Sequence, residues 1–212
     1  MTQYNDMERQ AGTLILSQLK MFNEAVVFFE RHIEPAFWKG FDQCVEHFIK
    51  TNNWLGSAKF AQKEYLWIAP ASWKTGPKQW KSWFDSYNTT KEGFDYHLSV
   101  ITQANTEQGE FGFLFKLDSS WSGDHQKLNS DTDSIDLKYR KQLIDLGFDY
   151  QGKDSFFIPV ALKADKLAEC WQEYGAFPEE HEIFTPLREA LDKLLQSVEI
   201  FDAIFPTTAE LL

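Results

Sequence analysis

The sequence predicts an α+β fold: a small, mainly antiparallel sheet of about four strands with a central hairpin, packed by helices, with long amphipathic helices at both termini. Three observations predict it. Near both ends, apolar residues recur at alternating steps of four and three, the spacing of one helical face. In the middle, two runs alternate with period two, the spacing of a strand with one buried face. Helical and strand-like runs also interleave in mixed order, without the regular strand–helix repeat of a parallel sheet.

Taken in order, the first helix is expected over residues 10–33. Ile15, Leu19, Phe22, Val26, Phe29 and Ile33 form its stripe. Pro35 should end it, because the ring clashes one turn back and pushes Glu34 out of the helical region. A second helix starts at Pro35 and is lined by Phe37, Phe41, Val45 and Phe48, ending at Asn52-Asn53. Glu64–Ala69 reads as a buried strand ended by Pro70. Gly76–Tyr87 reads as a helix with Trp80, Phe84 and Tyr87 on one face. Phe94–Ile101 and Phe111–Leu117 alternate and are joined by the short polar stretch Gln103–Gly109, so they are paired as an antiparallel hairpin. A helix over Ser134–Leu146 ends at Gly147, and another over Asp165–Tyr174 ends at Gly175. Ser155–Leu162 between them reads as a strand, placed at an edge or a bulge because Pro159 cannot donate to a ladder. The last helix takes Thr185 as cap and Pro186 as first residue. Its stripe is Leu187, Leu191, Leu194, Val198, Phe201 and Phe205, and Pro206 stops it. Each terminal stripe spans fewer than three heptads, so each is assigned to the core, with a homodimer or a partner helix as the alternative use. These elements are expected to form one domain: a helical lead over 1–53, a mixed body over 54–175 and a C-terminal helix over 183–206.

Composition bounds the function. The chain has 212 residues, 43% apolar and 25% charged, the proportions of an ordinary globular protein able to bury roughly 70% of its extended surface without disulfides or metals. The first dozen residues form neither a signal nor a transit peptide, and the longest apolar runs are far short of a bilayer. Cys44 and Cys170 are expected to be buried thiols in helices. Together these features point to the cytoplasm and to no membrane contact.

The charge is uneven. Residues 1–100 hold eleven acidic and eleven basic side chains. The remaining 21 acids and 10 bases follow, so the whole net charge of −11 lies in the second half. That argues against a nucleic-acid surface. It favours either solubility alone or an acidic face that recruits a basic protein or imitates a phosphate backbone. Glu179, Glu180 and Glu182 are the residues chosen for such a face.

The stretch with Trp67, Trp73, Trp80 and Trp83 interleaves Lys74, Lys78 and Lys81. Trp73, Trp80, Trp83 and Lys78 are therefore binding candidates, for a protein partner before a single strand of nucleic acid. The alternative puts Trp80 and Phe84 in the core with the lysines as their wet face.

Catalytic signals are sparse. The loop Asp118–Asp136 is long and acidic, and Asp131, Asp133 and Asp136 could hold a hard cation. It fails the EF-hand template, and Asp131 or Asp133 serves equally well as a helix cap. Asp95 and Glu110, on neighbouring strands of the expected hairpin, are the pair a metal-dependent hydrolase or nuclease would use. Phe111-Gly112 stands where the water-activating lysine should be. His97 is the one histidine poised as an acid or base. No HExxH, GxSxG or Gly-rich nucleotide loop occurs. The sequence thus favours a non-enzymatic binding or regulatory protein without a cofactor, with the metal-dependent hydrolase as its rival.

Overall fold

The computed structural model describes residues 4–90, 95–104, 109–118, 136–152 and 155–206. The fold is α+β. Helices α1 (Asp6–Ser17), α2 (Leu19–Phe28) and α3 (Glu34–Thr51) lead into β1 (Trp54–Ala58), the short α4 (Phe60–Lys63) and β2 (Leu66–Pro70). Then come β3 (Lys74–Gly76), β4 (Gln79–Trp80), β5 (Ser82–Asn88), α5 (His97–Ile101) and β6 (Phe111–Leu117). The chain continues with α6 (Leu137–Asp145), β7 (Asp149–Tyr150), β8 (Phe156–Pro159), α7 (Ala164–Tyr174) and α8 (Thr185–Ile204). Six strands form one sheet in the order β1-β2-β5-β6-β8-β7, and β3 and β4 form a separate ribbon. Every pairing is antiparallel. The main sheet therefore has six strands where about four were expected.

Four local expectations are corrected. The helical lead does not break at Pro35. Phe29–Ile33 forms a π turn in which the Glu34 amide reaches back to the Phe29 carbonyl. That wider turn accommodates the proline ring, so Glu34 stays helical at φ −62° and ψ −47°. The lead is instead interrupted at Gln18, with φ −117° and ψ 26°. Residues 76–87 are strand, not helix. Ser82 and Phe84 point into the core while Trp83 and Asp85 are half-buried on the other face. Trp80, Phe84 and Tyr87 fit a helical step by coincidence, and the aromatic-rich run suits a pleated surface better. Residues 97–101 are helix, with Val100 and Ile101 both buried in succession. The central hairpin is consequently β5–β6, with Phe84 opposite Phe115. Lastly, β1 was not anticipated; it pairs with β2 from Trp54 opposite Pro70 to Ala58 opposite Leu66.

The other expectations keep their type. The strand of Pro159 is not at the expected edge, since β8 lies between β6 and β7; β7 pairs only with Phe156 and Phe157, Pro159 ends β8 opposite Gly112, and the ladder resumes past it with the Val160 amide on the Phe111 carbonyl. Gly175 closes α7 at φ +59°. Phe184, not Thr185, takes the cap position of α8; Thr185 instead accepts a hydrogen bond from Arg188.

One core cluster joins Phe37, Phe41, Val45 and Phe48 of α3 to Leu187, Leu191, Leu194 and Phe201 of α8 across the sheet's Phe84, Phe113, Phe115 and Phe156. Phe115 and Phe201 stack with ring centroids 4.1 Å apart. The C-terminal stripe is thus fully absorbed. The N-terminal stripe is not: Ile15, Leu19 and Phe22 remain 43–54% exposed.

Candidate functional site: an acidic pocket between α3 and α8

The C-terminal half of α3 presents Cys44, His47, Phe48 and Thr51 along one face, at helical steps of three and four. The first turns of α8 present Arg188, Leu191 and Asp192. The turn between α7 and α8 closes the gap and brings Glu179 and Glu180. Gly40 allows that closure: a Cβ there would sit 2.0 Å from the Phe177 carbonyl oxygen. The Phe177 and Phe184 rings pack on Phe37 from either side of the turn.

The result is a pocket of about 400 Å³ lined by these side chains and Asn52. Its floor is apolar, with Cys44, Phe48 and Leu191 buried. Its rim carries three carboxylates, Glu179, Glu180 and Asp192. The cation on the rim is committed elsewhere. Arg188 donates to the Glu179 and His181 carbonyls at 2.9 and 3.2 Å and to the Thr185 hydroxyl at 3.0 Å. It therefore braces the turn, and its charge stays beside the Cys44 thiol and the three carboxylates. His47 Nδ1 lies 3.7 Å from a Glu179 oxygen. Burial pushes the Cys44 thiol up to about 11, so it is a packing group and not a nucleophile. A second cleft alongside shares His47, Thr51 and Glu179 and adds Gln43 and the ion pair Glu46–Lys50.

Glu182 lies outside the pocket and is exposed. It belongs to a neighbouring acidic group. Lys166 contacts Glu169 at 2.7 Å, and Glu169, then Glu182 and Asp165, raise the lysine's pKa. Across residues 155–206 the chain has ten acids and four bases, so the pocket opens within a negative field.

The tryptophan-rich stretch divides. Trp73 is fully buried, and its indole donates to Asp202 at 2.8 Å; it has no surface to offer a partner. Lys81 is 3% exposed and bound to the same carboxylate at 2.5 Å, so it is not part of a wet face. Trp67, Trp80 and Trp83 are half-buried on the other face, with Trp67 and Trp80 edge-to-face at 4.7 Å. Lys78 is exposed between β3 and β4.

The catalytic candidates are dispersed in role. Asp95 lies in a bend before α5 and not on a strand beside Glu110, which precedes β6. His97 opens α5 against the rings of Trp38 and Phe60, and burial lowers its pKa while Glu64 pulls it up. Asp136 caps α6, accepting from the Lys138 amide at 2.9 Å. Asp131 and Asp133 lie outside the described residues. Among the described residues no group of three or more His, Cys, Asp or Glu is placed to hold a metal ion, and no helix is long and apolar enough to cross a membrane.

Sequence reasoning found Glu179 and Glu180 but missed His47, Arg188 and Asp192. Arg188 and Asp192 share a helical face, which the i, i+4 spacing shows; their meeting with α3 is a tertiary fact. Comparison of the chain with family models, curated proteins and solved structures gives no match.

Proposed function

We propose that the protein is a cytoplasmic, non-enzymatic binding module that docks a basic protein partner through the acidic pocket. The observation that carries this reading is the pairing of an apolar floor with three rim carboxylates while Arg188 is held by backbone and hydroxyl oxygens. Such a pocket suits a lysine or arginine side chain, whose aliphatic stem packs on the floor while its charged head meets the rim. The surrounding acidic field steers the encounter and selects against acidic chains.

The test uses a fluorescent octa-arginine peptide, with octa-glutamate as control. The arginine peptide should bind and the control should not, with affinity falling steeply as salt rises. Glu179→Lys with Glu180→Lys should weaken binding at least about tenfold, equivalent to about 1.4 kcal/mol. Asp192→Lys should act in the same direction, and Glu24→Lys on α2 should leave binding unchanged. Equal affinity for the wild type and the Glu179/Glu180 variant overturns the assignment of the pocket.

A further inference from the structure

Two histidines belong to the frame of the acidic pocket. His47 lines it from α3. His181 holds the turn that carries Glu179 and Glu180 into it.

His181 fastens that turn four ways. Its amide donates to the Pro178 carbonyl at 3.0 Å, and its carbonyl accepts from the Phe184 amide at 3.1 Å and from Arg188 at 3.2 Å. Its Nδ1 accepts from the Ile183 amide at 3.2 Å. Only an unprotonated Nδ1 can accept, so the geometry assigns the neutral ring with its hydrogen on Nε2. A proton on Nδ1 turns the acceptor into a donor facing an N–H, and the amide of Ile183, a buried residue, loses that partner. The surroundings of the ring are mixed in charge. Tyr174 of α7 meets it edge-on at 5.6 Å, Arg188 of α8 sits on its carbonyl, and the exposed Glu180 and Glu182 flank it in the chain.

His47 acts by charge. Its Nδ1 lies 3.7 Å from a Glu179 oxygen. Beside it on α3, Glu46 and Lys50 pair with each other at 3.7 Å. Across the pocket stand Glu180 of the turn and Arg188 and Asp192 of α8. With His47 neutral, the lining sets three carboxylates against one guanidinium, a net of two negative charges. A proton on His47 halves that net charge. Protonation of either ring therefore works in one direction: one cancels charge at Glu179, and the other loosens the turn that presents Glu179 and Glu180.

We infer that the acidic pocket is gated by pH: it holds a basic side chain while His47 and His181 are neutral and releases it when they take up protons. This inference rests on the reading of the pocket as a site for a basic partner. Histidine is the side chain that ordinarily changes charge in the range from about pH 8 to about pH 5. By linkage, a bound cation must in turn oppose protonation of His47.

The test is the affinity of the full chain for the fluorescent octa-arginine peptide, which keeps its charge throughout, at about pH 7.5 and about pH 5.5 and constant ionic strength. The wild type should bind about fivefold more weakly at the lower pH. In His47→Gln with His181→Asn the loss should shrink to under about twofold, because an asparagine Oδ1 accepts from an amide two residues on without titrating. The Ile183 amide reports the cap without any peptide: its NMR resonance should move on acidification in the wild type and stay in place in His181→Asn. Equal wild-type affinity at the two pH values overturns the gating and leaves the pocket reading standing. A loss of the same size in the double variant overturns it as well, since other groups then carry the effect, and so does an Ile183 resonance that does not move. Absence of binding at about pH 7.5 overturns the pocket reading and the gating with it.

Discussion

Asp42 shows how much one buried carboxylate organises. It is 8% exposed and accepts from the Phe60 and Ala61 amides at 2.8 and 3.0 Å, starting α4 from a helix away in sequence. Asp42→Ala leaves both amides without that acceptor and should cost about 2 kcal/mol in urea denaturation. A loss under about 0.5 kcal/mol, the scale of a neutral surface change, would mean water replaces the carboxylate. His97 gives a pH dependence whose sign follows from its surroundings. Burial against Trp38 and Phe60 lowers its pKa from the ordinary 6.5. The unfolded chain therefore binds this proton more readily, and the stability contribution is lost as pH falls through about 6.5. Thermal melts of the wild type and His97→Gln between about pH 7.5 and 5.5 should diverge, the wild type losing stability faster on acidification; parallel curves would refute the assignment. His97 was recognisable as distinctive from sequence, but its strand-face reading had the wrong secondary structure. The partners of Asp42 lie 18 and 19 residues on, beyond any local pattern.

Among the elements, those with long one-faced stripes were the legible ones. Helices α3, α7 and α8 keep their expected type because four or more apolar residues fix a 3.6-residue period. The strands were harder. In β5 Phe84 and Tyr87 continue the helical step begun at Trp80 although they lie on opposite faces of the strand, and only the pairing with β2 and β6 decides. In β6 the period of two was plain, but its true neighbours were not: β5 on one side and β8 on the other. That second pairing depends on Gly112. A Cβ there would come within 2.1 Å of the Ile158 carbonyl oxygen and 2.8 Å of the Phe157 ring. Gly112→Ala must therefore push β8 away and should cost about 2–3 kcal/mol, the range for overpacking a core. The damage should be local, with amide exchange of Val160, which bonds to the Phe111 carbonyl, accelerating more than that of Ile68 in β2. Uniform acceleration across the sheet would show that β6 and β8 do not separate as a unit.

At the scale of the molecule, the charge imbalance was fully legible in the sequence, whereas the pocket was not, because its walls come from opposite ends of the chain. The same long-range closure joins the neutral half to the acidic half inside the core. Lys81, just before β5, meets Asp202 in the last turn of α8 at 2.5 Å, and Trp73 donates to the same carboxylate. The lysine side chain is 4% exposed and the aspartate 37%, so water softens the pair at one end only. Removing Asp202 leaves a buried ammonium and an indole N–H without that acceptor. Asp202→Ala should therefore cost about 3 kcal/mol, the lower end for breaking a buried pair. Lys81→Met with Asp202→Ala removes both charges, and Met is close to Lys in volume, so it should recover most of that loss. Guanidinium denaturation of the two variants measures the difference. If the double variant is no more stable than Asp202→Ala, then the carboxylate acts through Trp73, and the ion pair does not hold the end of α8 against the sheet.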